Sequence, residues 1–299
     1  MADSTPETAG WRRFAYTSSD GLALAGRQYG FDNEAARNVL PVLCLAGLSR
    51  NSADFHELAL HLASDAKSPR RVLCLDYRGR GMSARDPVRA NYNPITEAED
   101  AMAGAAAAGI AHAAVIGTSR GGLIAMLLAG LRPALMKAVV LNDIGPEIGV
   151  RGLLRIKSHI RNSRDHANWS GAIAALRAAG EQQFPAFGDK DWERAARQIF
   201  EEPDGRIMRS FDPALARTLN QVRIDQPLPA LWPQFSGMKN LPMLVIRGDR
   251  SDILEPGTLK KMRDLRAQTE VIEVAGQGHA PDLGTAALPE KIAAFLAGI

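Results

Sequence analysis

Ser119 lies at the centre of Gly117-Thr118-Ser119-Arg120-Gly121, a G-x-S-x-G sequence between an apolar run and an Ala/Leu-rich helical stretch. A serine forced into a sharp strand-to-helix turn projects its hydroxyl beyond the sheet, and glycines two positions away on either side allow the close chain approach such a turn needs. The hydroxyl would stand beside the positive end of the helix that begins there. A phosphate-binding glycine turn is the competing reading, but no Lys-Ser or Lys-Thr pair follows as a P-loop requires. A serine hydroxyl is a weak nucleophile at neutral pH, so the motif calls for a histidine base, itself oriented by a carboxylate.

Six histidines are available. His279, in Gly278-His279-Ala280-Pro281, follows the last apolar run, where small neighbours let a loop carry the imidazole over the strand ends. His56 and His61 fall in a predicted helix, His112 at a strand start, and His159 and His166 in a helical insertion, where packing or surface roles are the ordinary expectation. For the acid, Gly248-Asp249-Arg250-Ser251-Asp252 follows the penultimate predicted strand. Asp252 is favoured because Pro256 opens the next helix four residues later. Asp249 and Asp143, the latter at the end of an earlier strand, stand as alternatives. Asp76, heading Tyr77-Arg78-Gly79-Arg80-Gly81, reads as structural.

The elements that must position these groups are legible as a rhythm. Short apolar runs at 39–45, 72–76, 113–117 and 138–141 read as buried strands, and helical patterns lie between them at 58–63, 95–109 and 121–131. Such alternation implies a parallel sheet covered on both faces. Ser19-Asp20-Gly21 separates two alternating stretches within 14–29, which predicts an antiparallel hairpin at the sheet edge. After Asp143 the rhythm gives way to helical and loop character without a clear strand. It resumes with strands at 244–247 and 270–275 and helices at 255–265 and 288–296. A core of residues 1–145 and 238–299, interrupted by a helical cap over 146–237, accounts for this better than two independent domains.

Composition narrows the function classes. The 299 residues, 46% hydrophobic, can bury one large core. A net charge of +3 from 36 basic and 33 acidic residues without long like-charge blocks leaves no nucleic-acid footprint. Cys44 and Cys74 lie inside apolar runs and read as reduced core residues, with no partners at metal-ligand spacing. The polar start of the chain and the lack of a long apolar run set the expectation of a soluble, cytoplasmic protein that binds no membrane. Its expected partner is a small-molecule substrate, with no nucleic acid, and a homo-oligomer is compatible with the composition. No cofactor or metal is called for.

Taken together, Ala46-Gly47-Leu48, the stretch from Asp76 through Gly81-Met82-Ser83, the serine motif, Gly248 through Pro256, and Gly278-His279 resemble the α/β-hydrolase superfamily along nearly the whole chain, in the order serine, acid, histidine. The resemblance implies an α/β-hydrolase fold: a mostly parallel eight-stranded sheet, helices on both faces, and a helical cap inserted after strand 6. It also implies an oxyanion hole built from the backbone N–H groups of Leu48 and Arg120. Here Ala46-Gly47 replaces the His-Gly common in the family, so the loop must be held in another way, through Arg50 or Asn51.

Two cationic features need a reading. The Arg120 side chain either neutralises a substrate carboxylate or pairs with an acid such as Asp143. Arg151, Arg155, Lys157, Arg161 and Arg164 form either a solvated basic face or an attraction for anionic substrates, on a helix whose apolar stripe is Leu153, Ile156 and Ile160. Trp169, Phe184, Phe187, Trp192, Phe200, Phe211 and Trp232 supply the cap's apolar surface, with one or two expected in the pocket. The expected activity is hydrolysis of a carboxylic ester or lactone through an acyl-enzyme. Carbon–carbon bond hydrolysis of a diketone-type substrate uses the same groups, and a ligand-sensing protein on the same fold is the non-enzymatic alternative.

Overall fold

The computed structural model describes residues 10–220, 228–285 and 287–299. The polar start of the chain, 1–9, and residues 221–227 of the expected cap lie outside the described residues. Eight strands form one sheet: β1 (Arg12–Thr17), β2 (Ala23–Tyr29), β3 (Val42–Leu45), β4 (Val72–Asp76), β5 (Ala113–Thr118), β6 (Met136–Asn142), β9 (Met243–Gly248) and β10 (Glu270–Val274). Their spatial order is β1-β2-β4-β3-β5-β6-β9-β10. β1 and β2 pair antiparallel, with Phe14 opposite Gly26, and β2 runs antiparallel to β4. From β4 to β10 the pairing is parallel. The hairpin expected at the edge is β1–β2, closed where the Gly21 N–H donates to the Ser18 carbonyl at 3.0 Å.

Strand side chains divide between two cores with the period of two that a pleated sheet imposes. Leu43, Leu45 and Val115 enter one core with helices α2 (Pro94–Ala107), α3 (Arg120–Leu131) and α8 (Pro256–Leu265). Val42, Cys44 and Ile116 enter the other, with α1 (His56–Ser64) and α9 (Leu288–Ala297). The central strands are buried on both faces, which explains why they read as continuous apolar runs. Cys44 and Cys74 sit opposite one another on β3 and β4, both buried and unbridged. Asn93 caps α2 by accepting from the N–H groups of Ile95 and Thr96, ahead of Pro94. No helix among the described residues is long and apolar enough to cross a membrane.

Between β6 and β9 the chain passes through α4 (Val150–Asn162), α5 (Trp169–Gly180) and α6 (Asp189–Ile199), and returns through α7 (Trp232–Gly237). Ile160, Ala172, Ala196, Ile199 and Leu215 gather in a third apolar cluster of their own. Phe235 of α7 packs instead with the core formed by α2, α3 and α8. The expectation of no strand in this stretch needs correction, because β7 (Phe200–Glu201) and β8 (Met208–Arg209) pair antiparallel. Two residues apiece are too few to display an alternating pattern.

Candidate active site

Packing fixes the turn that carries Ser119. A Cβ at Gly121 would fall 1.9 Å from the Leu45 carbonyl oxygen, and one at Gly117 2.5 Å from the Gly121 carbonyl oxygen. Only glycine lets α3 approach β3 and β5 so closely. The turn leaves Ser119 at φ 52°, ψ −112°, a conformation an L-residue keeps only when its surroundings enforce it. The Ser119 N–H donates to the Asn142 carbonyl at 3.0 Å. The Asn142 amide in turn donates to Thr118 Oγ1 and to the Pro281 carbonyl, tying the serine turn to the loop that carries His279.

The imidazole of His279 bridges two groups. Its Nε2 lies 2.7 Å from Ser119 Oγ and its Nδ1 2.7 Å from Asp143 Oδ2. His279 and Asp143 side chains are 6% and 0% exposed, so the contact between them is shielded from bulk water, while Ser119 lines the cavity. Asp143 directly follows β6 at φ 55° and is braced from the end of β9 and the loop after it. Gly248 N–H donates to its Oδ1 at 3.0 Å, and the Ser251 hydroxyl to its Oδ2 at 2.6 Å.

The expectation that Asp252 faces the imidazole is therefore corrected. Both Asp252 oxygens accept from Arg155 on α4, each at 2.7 Å, and its backbone carbonyl crowds Gly149 and Gly152 at the start of that helix. Proline at 256 does start α8, but the loop before it turns its aspartate toward the inserted helices. Asp249 is exposed, its N–H donating to the Val274 carbonyl. Asp76 is structural as read: its buried carboxylate accepts from the N–H groups of Ser52 and Met82, and burial raises its pKa.

Leu48 lines the cavity that contains Ser119. Arg120 is the first residue of α3, where an N–H has no carbonyl of its own helix to reach. Neither Asp143 nor a cavity contact occupies the Arg120 side chain: its Nε donates to buried Glu97 at 2.7 Å. Arg80, fully buried, forms an ion pair with the other Glu97 oxygen at 2.8 Å and donates from Nε to the Leu48 carbonyl at 2.8 Å. Burial alone would raise the Glu97 pKa, but the charges of Arg80 and Arg120 outweigh it and keep the carboxyl below its usual range. Arg80 thus holds the loop where the family's histidine is missing. Asn51 assists by donating to the Gln198 carbonyl and Ser210 Oγ, whereas Arg50 pairs with Asp54.

The cavity has a volume of about 220 Å³ and lies between the strand ends and α4, α5 and α6. Phe184, Phe187, Trp192 and Phe211 line it, and the first three pack together at ring separations of 4.8 to 6.4 Å. Trp169 and Trp232 point their indole N–H groups at Glu202 and Glu147 instead. Of the basic residues on α4, Arg155 lines the cavity. His159, read from sequence as an ordinary packing residue, lines it too; the available signal was its spacing from Arg155 and Ile156, four and three residues earlier on one helix face. Among the described residues no group of His, Cys, Asp or Glu side chains has the arrangement of a metal site.

Comparison with known proteins gives a consistent result. Residues 42–294 match the sequence profile of the Alpha/beta hydrolase family. The chain is 29% identical over 247 residues to the 3-hydroxybutyrate-oligomer hydrolase of Cupriavidus necator, spanning 80% of this chain and 82% of that one. It is 25% identical over 239 residues to the 2-(acetamidomethylene)succinate hydrolase of Mesorhizobium japonicum, spanning 80% and 81%. The crystal structure of an alpha/beta hydrolase from Novosphingobium aromaticivorans superposes with a TM-score of 0.88 at 37% identity, covering 97% of this chain and 99% of that one.

Proposed function

This chain belongs to the alpha/beta hydrolase family, and from that premise we propose that it is a serine hydrolase of carboxylic esters or lactones, with Ser119 as nucleophile, His279 as base and Asp143 as the orienting acid. The observation that carries the reading is the unbroken hydrogen-bond chain from Ser119 through His279 to Asp143, at 2.7 Å in each link.

Attack of Ser119 Oγ on the substrate carbonyl passes the hydroxyl proton to His279 Nε2, and Asp143 stabilises the imidazolium from Nδ1. The negative oxygen of the tetrahedral intermediate faces the N–H groups of Leu48 and Arg120; donors of this kind contribute on the order of 10²- to 10³-fold each. Collapse of the intermediate breaks the ester C–O bond, and the departing alkoxide takes the proton from His279. A water then attacks the acyl-enzyme, its proton passing to His279 and on to Ser119 as the acid leaves. α4, α5 and α6 act as a cap over this chemistry, with α7 returning the chain to the core.

The similarity to a hydrolase of 3-hydroxybutyrate oligomers supports hydroxyacid esters as the first substrates to test. Ser119→Ala should abolish p-nitrophenyl ester turnover while leaving the circular dichroism spectrum unchanged, and retained turnover would refute the assignment. Cleavage of a coloured dienol diketone by a wild-type enzyme inert toward esters would instead support carbon–carbon hydrolysis at the same site.

A further inference from the structure

The polar groups on the α4 side of the cavity are unevenly satisfied. Arg50 uses Nε and Nη2 on Asp54 and Gln198, which leaves Nη1 without a hydrogen-bond partner among the described residues. Arg155 uses Nε and Nη2 on Asp252, again leaving Nη1. Neither ring nitrogen of His159 has a hydrogen-bond partner among the described residues, although the side chain lines the cavity. Burial and then the charges of Arg50 and Arg155 lower the His159 pKa, so both guanidinium groups act on this imidazole.

The nearby carboxylates are already occupied. Asp54 and Asp252 each receive a bidentate arginine, and Asp282 receives Arg194 at Oδ2 and the Gly284 N–H at Oδ1. Gln183 Oε1, an acceptor without a partner among the described residues, lies against Gly278 beside His279 and not on α4. What this wall still offers is therefore donors: two guanidinium edges and an imidazole N–H. A single neutral carbonyl cannot use three donors, whereas a carboxylate, with about four lone-pair sites, can. Hydrogen bonds to an ionised acceptor are also about twice as strong as neutral ones.

We propose that Arg50, Arg155 and His159 form a subsite for a second, non-reacting carboxylate, so that the preferred substrates are esters that also carry a free acid group. The inference rests on the ester-hydrolase reading of the same cavity. Arg50 and Arg155 supply charge-assisted N–H groups, and His159, one turn after Arg155 on α4 and lining the same cavity, supplies a third donor. The aromatic wall of Phe184, Phe187 and Trp192 takes the apolar part of the substrate.

The test is an NMR-detected titration of Ser119→Ala, which needs no turnover, with two matched ligand pairs: monomethyl succinate against methyl butyrate, and monomethyl glutarate against methyl valerate. The carboxylated member of at least one pair should bind about tenfold or more tightly, as charged hydrogen bonds of ordinary strength require. Adding His159→Leu should shrink that ratio several-fold, and His159→Gln, which keeps a neutral N–H donor, should restore most of it. Equal affinities within both pairs, no binding of either carboxylated ester, or a ratio insensitive to His159→Leu would overturn the subsite. Wild-type esterase activity lost in Ser119→Ala, together with any of those results, would leave the serine-hydrolase reading standing. Ester turnover surviving in Ser119→Ala would sink that reading while the titration still judged the subsite.

Discussion

Arg80 Nε donates to the carbonyl of Leu48 at 2.8 Å, and the same guanidinium lies 2.8 Å from Glu97, whose other oxygen receives Arg120 at 2.7 Å. One buried carboxylate thus ties together the two residues proposed to supply the oxyanion hole. On that proposal, geometry at the reacting carbonyl would depend on the ion pairs of Arg80, Glu97 and Arg120, none of which lines the cavity.

Glu97→Gln should accordingly act on both stability and rate. Breaking a buried ion pair at one partner costs about 3–5 kcal/mol, because the remaining charges are left uncompensated. In the folded fraction, kcat should fall by roughly tenfold or more with KM little changed, since a displaced oxyanion donor weakens transition-state binding. Urea unfolding and steady-state kinetics on a p-nitrophenyl ester measure the two effects, and a destabilised variant with unaltered kcat would reduce Glu97 to a purely structural role.

The two aspartates that sequence spacing offered as the acid should separate cleanly by mutation. Asp143→Asn removes the charge that stabilises the imidazolium and, with its amide oxygen kept on Gly248 N–H, turns an NH2 donor toward His279 Nδ1, which favours the wrong tautomer and should lower kcat by on the order of 10³- to 10⁴-fold. Asp252→Asn loosens α4 and should reduce kcat/KM by less than about tenfold, because no transition-state charge rests on Asp252. The opposite ranking in parallel assays would contradict the geometry described above.

Asp252 also makes stability depend on pH in a defined direction. Burial pushes its pKa up, but the hydrogen bonds and charge of Arg155 outweigh this and leave it lowered. A carboxyl with a depressed folded-state pKa contributes stability in full above its unfolded value of about 3.9, and loses it as pH falls from there through the folded value. The Tm difference between wild type and Asp252→Asn should be constant from neutral pH to about pH 5. It should shrink only under stronger acid. A difference that vanished already at pH 6 would assign the effect to another group.

Glycine substitutions test the packing behind the serine turn. Gly121→Ala places a Cβ 1.9 Å from a backbone oxygen and should destabilise by at least about 1–3 kcal/mol, or prevent folding. Gly130→Ala, in the same helix with open space around the added methyl, should stabilise by about 0.4–1 kcal/mol. Thermal melts of both variants decide the matter; similar values would remove the argument from close approach.

The sheet and its flanking helices were legible in the sequence because strands buried on both faces are written as uninterrupted apolar runs, and because Pro94 and Pro256 mark helix starts. Ser119 and His279 were legible for a similar reason: glycines around each announce a tight turn at a strand end. The choice between Asp143 and Asp252 was not, because both follow strands, and the left-handed backbone that turns Asp143 toward the imidazole leaves no residue-type signature. The partner of Arg120 was equally hidden, since Glu97 lies on α2 and meets it only through helix packing. His159 looked like any helical histidine until α4 was seen to roof the cavity.

Activation of Ser119 by His279 is read out by a fluorophosphonate probe followed by peptide mass mapping. One phosphonyl adduct, on Ser119, is expected in wild type, and none in His279→Ala. An unlabelled wild-type protein, an adduct on a different residue, or equal labelling without the imidazole would contradict it.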